Sequence, residues 1–242
     1  MKLYKTIKIG SSHPTFCEDF CLLQKIDTDW TIAAVMDGCT NAQDSHFAST
    51  LMAKVLKRVV QTLPYLAVSS VDLHDITTKE LGIEIAQQFF KQFKQLKSIL
   101  LLDKYELVST LSFAVLHGTR KEAFVTVVGD GLIAVNGDIH SFEQNNQPNY
   151  LAYHLDKSFE AWFYNETEHF LFENVQDLAL ATDGIITFNG QKEPDFDPAQ
   201  YLLINTDFAE IEQMLHKKCV LLEQEHGLLP IDDLAIVRVI LD

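Results

Sequence analysis

The chain has 242 residues, a length suited to one large domain, and its 47% of apolar residues is enough to form a sizeable core. Its 34 acidic residues outnumber the 19 basic ones, giving a formal charge of -15 that disfavours nucleic acid and anionic membranes as partners. The N-terminus has no apolar stretch of signal-peptide length and no run approaches a membrane span, so we expect a cytoplasmic protein with a single domain over residues 1–242.

The first half of the chain changes from strand patterns to helix patterns. Short segments rich in β-branched and aromatic residues predict strands at 4–9, 20–26 and 30–36. Apolar residues at helical spacing then predict a helix that starts at an N-cap, Asp44, and stops before Pro64. A second helix is predicted over about 79–97, and both helices could cover one face of a sheet.

Strand patterns return in the second half of the chain. They predict strands at 107–116, 123–128, 132–135 and 139–142. Asn136-Gly137 is typical of a type I′ hairpin turn, so the last two of these strands should form a hairpin. Residues 143–170 have weak periodicity, and we predict loops there with at most a short strand or helix. The remaining patterns predict a strand at 177–182, a helix at 206–225 and a strand at 234–241.

The order of the elements indicates the class of fold. Strands fall in two runs with helices between them and near the end, which favours antiparallel sheets flanked by helices over a doubly wound parallel sheet. Neither G-x-G-x-x-G nor G-x-x-x-x-G-K-[ST] occurs, so a nucleotide-phosphate cradle lacks support. The cysteines form no C-x-x-C pair and their spacing does not match the common zinc sites, so we interpret them as reduced thiols. They are Cys17, Cys21, Cys39 and Cys219.

Acidic residues stand at the ends of several predicted strands. Three apolar segments end in Asp-Gly, at Asp37-Gly38, Asp130-Gly131 and Asp183-Gly184. The sheet holds such a carboxylate in place, and the glycine lets backbone approach an ion closely. Glu18-Asp19 and Asp232-Asp233 stand beside two further strands. Carboxylates without a Cys/His set indicate Mg²⁺ or Mn²⁺ rather than Zn²⁺, although each Asp-Gly pair taken alone is best explained as a turn.

The order of these acidic motifs resembles that of the metal-dependent serine/threonine protein phosphatases of type 2C. The motifs span nearly the whole chain: Glu18-Asp19, Met36-Asp37-Gly38, Gly129-Asp130-Gly131, Thr182-Asp183-Gly184 and Asp232-Asp233-Leu234. Gly10-Ser11-Ser12-His13, ahead of Cys17-Glu18-Asp19, is similar to the bacterial branch of that family. The resemblance implies an α+β fold, a four-layer α/β/β/α sandwich in which helices flank two mainly antiparallel sheets.

The resemblance also implies a pair of Mn²⁺ or Mg²⁺ ions, with a third metal site left open. Position by position, Asp37 would bridge both ions, Gly38 would contribute its backbone carbonyl, and Glu18 would reach one ion directly or through water. Asp183 and Asp232 would complete the shell of the other ion, and the second acid of the first motif would support the site from behind these ligands. The predicted metal set is Glu18, Asp19, Asp37, Gly38, Asp183 and Asp232.

The implied activity is hydrolysis of phosphoserine and phosphothreonine in a phosphorylated protein substrate. In the family a water between two cations attacks phosphorus in line, and no phosphoenzyme is needed. Asp130 matches a family position that is better explained as structural, so the predicted metal set leaves it out.

Two departures from the family pattern keep other functions open. The arginine that commonly precedes the first acidic pair is missing, which leaves His13 and Lys8 as cationic candidates for the substrate phosphate. Cys39 follows Asp37-Gly38 where eukaryotic members often have histidine, and His46 is a candidate for a relocated general acid. The catalytic candidates are therefore Asp37, His13 and His46. The alternatives are a regulatory or binding module that keeps the fold without turnover, and a hydrolase of another phosphoester.

Overall fold

The computed structural model describes residues 1–66, 73, 75–144, 148–190 and 196–241, with side chains for all of these but 64–66. Its strands are β1 (Lys2–Lys8), β2 (Phe20–Lys25), β3 (Trp30–Met36), β4 (Leu111–His117), β5 (Glu122–Val128), β6 (Gly131–Val135), β7 (Asp138–Phe142), β8 (Glu168–Phe172), β9 (Asp177–Ala181), β10 (Phe188–Asn189), β11 (Leu229–Pro230) and β12 (Leu234–Ile240). Its α-helices are α1 (Ser45–Leu66), α2 (Thr78–Leu100), α3 (Phe159–Glu166), α4 (Pro198–Leu203) and α5 (Met214–His226). Within these ranges no helix is both long and apolar enough to span a membrane.

Two five-stranded sheets form the centre of the molecule, in the orders β1-β12-β9-β6-β7 and β2-β3-β4-β5-β8. All neighbouring strands in both sheets are antiparallel. The sheets face each other across a shared apolar core, to which Val35 and Val125 contribute from one sheet and Ile133, Leu180 and Val237 from the other. Burial of these side chains between the sheets fixes the register of each strand, because a slip of one residue would turn them outward.

Helices cover the two outer faces. Met52 and Leu56 of α1 and Phe89 and Phe93 of α2 pack with Phe113 on the face of the β2-β3-β4-β5-β8 sheet. On the opposite side, residues of α4 and α5, with Leu202, Leu215 and Leu222 among them, pack against the other sheet. The result is the predicted four-layer α/β/β/α sandwich with antiparallel sheets.

The hairpin and the starts of the first two helices agree with the predictions from sequence. Asn136 and Gly137 have φ of 51° and 98°, the positive values that a type I′ turn requires, and they join β6 to β7. Asp44, the predicted N-cap, directly precedes α1, and its carbonyl oxygen accepts the Phe47 N–H at 2.8 Å, but its φ of 56° differs from the extended value typical of an N-cap. Helix α2 is capped by Thr77, which exchanges hydrogen bonds with Glu80 in a capping box.

Four segments differ from the predictions. Helix α1, predicted to stop before Pro64, continues through that residue to Leu66. The helix predicted at 206–225 begins only at Met214, because Phe208 has φ 66°, which a right-handed helix excludes. Residues 107–110, predicted as part of a strand, lie before the start of β4. Thr110 forms hydrogen bonds with the backbone of Asp37, directly after the end of β3. The segment 143–170 contains α3 and most of β8, an edge strand whose side chains are only half-buried. Residues 145–147 of that prediction lie outside the described residues.

Candidate metal centre

Strand pairing brings four acidic positions to one edge of the sandwich. In the β2–β3 pair Phe20 lies opposite Met36, so Asp19 and Asp37 are placed side by side at the adjoining ends of these strands. In the β9–β12 pair Ala181 lies opposite Ile236, so Asp183 follows the end of β9 where β12 begins. Thr182 joins the two sheets, because its hydroxyl donates to Oδ2 of Asp19 at 2.5 Å.

Glycine at position 184 lets the chain segments meet closely. A Cβ atom there would lie 1.8 Å from the carbonyl oxygen of Asp233, well inside van der Waals contact. Gly38 is similarly restricted, since its Cβ would lie 2.3 Å from the carbonyl oxygen of Ser45. The glycines of the pairs Asp37-Gly38 and Asp183-Gly184 therefore serve close backbone approach rather than a simple turn.

Asp19 and Asp37 form the buried centre of the acidic group. Asp19 is 2% exposed, and burial raises its pKa to about 8 although the hydrogen bond from Thr182 opposes the rise. Burial, followed by the charges of Asp19 and Asp183, raises the pKa of Asp37 well above its ordinary value. The backbone of Asp37 is fixed by Thr110, whose N–H donates to its carbonyl at 2.8 Å and whose hydroxyl accepts its N–H at 3.0 Å.

Asp183 and Asp232 extend the acidic group toward solvent. Burial raises the pKa of Asp183 to about 6, and the charges of Asp232 and Asp130 add to the rise. The Asp232 side chain is 44% exposed, and its Oδ1 accepts the N–H of Asp233 at 2.8 Å. Four predicted metal ligands thus lie close enough for their negative charges to repel one another.

The donor set has the chemistry of a hard-cation site. Oδ1 of Asp19 is buried and has no hydrogen-bond partner in the described part of the chain. A divalent cation would satisfy this oxygen and neutralise the repulsion among the aspartates. Within the described ranges, however, no three His, Cys, Asp or Glu side chains are arranged so that they could hold an ion together. Binding would therefore require the carboxylates to turn toward a common centre.

Glu18 is the predicted ligand whose carboxylate is already engaged. Oε1 accepts the Ser45 hydroxyl at 2.6 Å, and Oε2 accepts the Thr40 hydroxyl at 2.8 Å. Its backbone carbonyl accepts the N–H of Gly38 at 3.2 Å and the hydroxyl of Ser49 at 2.5 Å. These bonds tie Glu18 to the loop after β3 and to the start of α1. Its role as a metal ligand stays a prediction.

A family model identifies the family, and solved structures show the same fold. Residues 10–218 match the family described as Protein phosphatase 2C. The chain belongs to this family. A bacterial serine phosphatase has the same fold, with a TM-score of 0.63 at 14% identity over 100% of this chain and 98% of that one. The phosphatase Stp1 from Staphylococcus aureus gives a TM-score of 0.61 at 12% identity, over 99% of this chain and 94% of its own.

A structure of RsbX in complex with magnesium shares the fold as well, with a TM-score of 0.52 at 13% identity, over 97% of this chain and 92% of that one. No curated protein sequence matches the chain significantly. The segment that matches the phosphatase 2C family stops at 218, so Asp232 and Asp233 lie beyond it. Both reach the site through the pairing of β12 with β9.

Asp233 is a residue of the candidate metal centre to which sequence reasoning gave no role. It is 2% exposed, and its Oδ1 accepts the Gly10 N–H at 2.6 Å while Oδ2 accepts the Glu18 N–H at 2.5 Å. Nδ1 of His13 lies 2.8 Å from Oδ2 of Asp233. One buried carboxylate therefore fixes both ends of the loop 10–18. The available sequence signal was the position of Asp233 in an acidic pair before a strand. That signal did not distinguish the role of Asp233 from that of Asp232.

His13 lies among the acids of the candidate metal centre. Its Nε2 is 3.9 Å from Oε2 of Glu18, and its Nδ1 is 3.6 Å from Oδ1 of Asp232. Burial lowers the pKa of His13, but the contact with Asp233 and the nearby carboxylate charges outweigh this effect, so the pKa is raised. Both ring nitrogens thus face protein carboxylates, and a role in holding substrate phosphate stays a prediction.

Cys39, which departs from the family pattern, and His46, the candidate general acid, lie in different environments. His46 stacks on Phe16, with ring centroids 4.5 Å apart, and its role as general acid stays a prediction. Burial, together with contacts to Cys39 and the charge of Asp37, raises the pKa of the Tyr150 hydroxyl. The Tyr150 hydroxyl therefore lies close to Cys39 and within the influence of the Asp37 charge. Tyr150 belongs to a segment of weak periodicity, so the sequence gave no signal that it lies near Cys39 and Asp37.

Asp130 supports a loop near the acidic group. Its Oδ1 accepts the Gln144 N–H at 2.7 Å, and burial raises its pKa. Its charge contributes to the raised pKa of Asp183. The exclusion of Asp130 from the metal set stays a prediction.

The raised pKa values predict that the metal-free protein loses stability as pH increases. Unfolded aspartates titrate at about 3.9, whereas Asp19 and Asp183 titrate at about 8 and about 6 in the fold. Between these values the native state holds more protons than the unfolded chain, so the free energy of unfolding decreases with rising pH. Thermal unfolding in the presence of a chelator should give a melting temperature that falls from pH 5 to pH 8.

The variant Asp19→Asn should have a higher melting temperature than the wild type at pH 8 and a weaker dependence on pH. Asp138→Asn, at an exposed position in the β6–β7 hairpin, is the matched control and should keep the wild-type dependence. A melting temperature that is flat or rises over this range would contradict the raised pKa values.

Proposed function

We propose that the protein hydrolyses phosphoserine and phosphothreonine monoesters in phosphorylated proteins of the cytoplasm, with Mn²⁺ or Mg²⁺ as cofactor. The observation that carries the proposal is the convergence of Asp19, Asp37, Asp183 and Asp232, from four separate strand ends, in a member of the phosphatase 2C family. The magnesium complex of RsbX, a protein of the same fold, supports the choice of metal. A repulsive group of carboxylates without a paired Lys or Arg in the described chain is hard to explain without bound cations.

The residues that would hold the cations are Glu18, Asp19, Asp37, Gly38, Asp183 and Asp232. Divalent cations bound there would supply positive charge for the phosphate and lower the pKa of a water molecule. Thr110 fixes the backbone of Asp37, and Asp233 fixes the loop that carries Glu18. The contribution of the protein is thus to fix the backbone that carries the oxygen ligands, so that small side-chain rotations suffice to bring them together.

Binding of the substrate phosphate should depend on the cations more strongly than in family members that have the upstream arginine. The upstream arginine is missing, and the nearby His13 already faces Asp232, Asp233 and Glu18. We therefore propose that substrate affinity rises steeply with metal occupancy, because the chain itself offers little positive charge at the site.

The test of the proposed function is hydrolysis of phosphoserine and phosphothreonine peptides by the purified protein. We expect release of inorganic phosphate with Mn²⁺ or Mg²⁺ and none in the presence of a chelator. An aryl phosphate, assayed in parallel, separates general phosphomonoester hydrolysis from a preference for peptides. Phosphate release that continues under chelation would overturn the proposed use of metal.

A second candidate function is a phosphatase-fold binding module without turnover. The engaged carboxylate of Glu18 favours this alternative, because two hydroxyls already satisfy a predicted ligand. Titration calorimetry with Mn²⁺ separates the two functions. Metal binding without hydrolysis of any phosphopeptide or aryl phosphate would support the binding module.

A further inference from the structure

The outer helical layer carries positive charge that contrasts with the rest of this acidic chain. The described sequence of α1 contains no acidic residue, and α2 contains none after Glu84. The same two helices carry Lys54, Lys57, Arg58, Lys91, Lys94 and Lys97 in their central and C-terminal turns. In a chain with 34 acidic and 19 basic residues, such a concentration of one sign marks a distinct surface.

This surface consists of a ridge with a groove on each side. Lys91, Gln95 and Ile99 follow one face of α2 at helical spacing, and both grooves share these three residues. The first groove, between α1 and α2, is also lined by Lys54 and Arg58. The second, between α2 and the start of α3, is also lined by Lys94 and Phe159. We call the residues Lys54, Arg58, Lys91, Lys94 and Ile99 the basic face.

The charges of the basic face are not compensated within the described chain. No acidic residue among the described ones lines either groove. Lys94 donates to the backbone carbonyl of Lys157 at 3.3 Å and lies 5.9 Å from the centroid of the Phe90 ring, so even this lysine keeps its charge unpaired. Lysines at i and i+3, such as Lys91 and Lys94, repel each other and weaken a helix, so folding alone gives no reason for them.

Apolar groups accompany the charges. Ile99, Leu100 and Leu101, at the end of α2, are 73%, 50% and 89% exposed. Leu51 and Leu96 are half-buried and line the groove between α1 and α2. A groove between two helices with an apolar floor and a cationic rim has the shape and chemistry that accept an amphipathic helix.

We infer that the basic face binds an acidic amphipathic helical segment of a partner protein. The apolar side of that segment would fill the grooves, and its carboxylates would pair with Lys91, Lys94 and Arg58. Nucleic acid and anionic membranes fit less well, because the total charge of -15 repels a dense polyanion while the grooves suit apolar side chains. The inference is independent of the proposed phosphatase activity.

The experiment uses a fluorescein-labelled synthetic peptide of about five helical turns, with leucine on one face and glutamate on the other. Fluorescence anisotropy at low ionic strength measures its affinity for the whole protein. The variant Lys91→Glu/Lys94→Glu should bind the peptide at least tenfold more weakly. The matched control Lys2→Glu/Lys25→Glu changes the net charge equally at exposed strand positions and should bind like the wild type. A peptide with lysine in place of glutamate should not bind.

Melting temperatures and aryl phosphate hydrolysis of both variants check that the fold and the acidic site are intact. If Lys91→Glu/Lys94→Glu is unstable, Lys91→Gln/Lys94→Gln replaces it and should weaken binding in the same direction. Absence of peptide binding by the wild type, or equal weakening by the control variant, would overturn the inference. The inference would also be overturned if the wild type bound a DNA duplex or phosphatidylserine vesicles more tightly than the peptide and lost that binding in Lys91→Glu/Lys94→Glu.

Discussion

The variant Asp37→Asn should lose more than ~100-fold of the metal-dependent phosphate release from a phosphoserine peptide, since even groups that only support metal ligands contribute about 10–100-fold. This expectation rests on the proposed function. A neutral amide oxygen binds a hard cation more weakly than a carboxylate, and Asp37 lies at the centre of the group, within the influence of Asp19, Asp183 and Asp232.

The same substitution should affect stability in the opposite direction. Asp37 is buried among like charges, so the metal-free Asp37→Asn protein should melt at a higher temperature than the wild type at pH 8. Lower activity together with higher stability separates loss of the site from loss of the fold. Asp130→Asn is the matched control, because it changes another Asp-Gly pair whose oxygen can still accept the Gln144 N–H. Full activity in Asp37→Asn, or equal losses in both variants, would contradict the assignment.

The sequence predicted those parts of the fold that local patterns determine. Strands β3, β6 and β9 are short apolar runs that end at Asp-Gly or begin after it, and their positions agree with the structure to within a residue or two. The helix predicted from residue 206 was too long because its apolar spacing continues across Phe208, where the backbone has φ 66° and only tertiary contacts decide the path. Helix α3 is dominated by aromatic residues that pack together, which hides a simple helical period.

For the candidate site, sequence identified the acids and missed what holds them. Asp19, Asp37 and Asp183 could be named because each stands beside a strand end, and strand pairing then brings them together. The bonds of Asp233 to Gly10 and Glu18 join residues more than two hundred positions apart, and nothing in local sequence marks such a contact. Glu18 could be recognised as an acid of the first motif, but its two hydroxyl partners come from other segments.

The variant Asp233→Asn should destabilise the protein by about 1–3 kcal/mol, the usual cost of leaving a buried donor unpaired. The side-chain oxygen of asparagine can replace one of the two carboxylate oxygens. The NH₂ group would take the place of the other and would face the Gly10 N–H or the Glu18 N–H, from which it cannot accept a hydrogen bond. The contact with His13 would lose its charge as well. Urea unfolding at constant pH measures this loss.

Because the loop 10–18 leads directly to Glu18 and Asp19, Asp233→Asn should also raise the Mn²⁺ concentration needed for half-maximal phosphate release by about tenfold or more. Asp232→Asn is the matched control for the neighbouring acid. Its side chain is 44% exposed and contacts the loop only through His13, at 3.6 Å, so this variant should lose activity without a comparable loss of stability. His13→Gln removes only the ring contact and should show a smaller part of the Asp233→Asn effect. If Asp233→Asn unfolds like the wild type and keeps its metal dependence, the loop is held by other contacts and Asp233 has no positioning role.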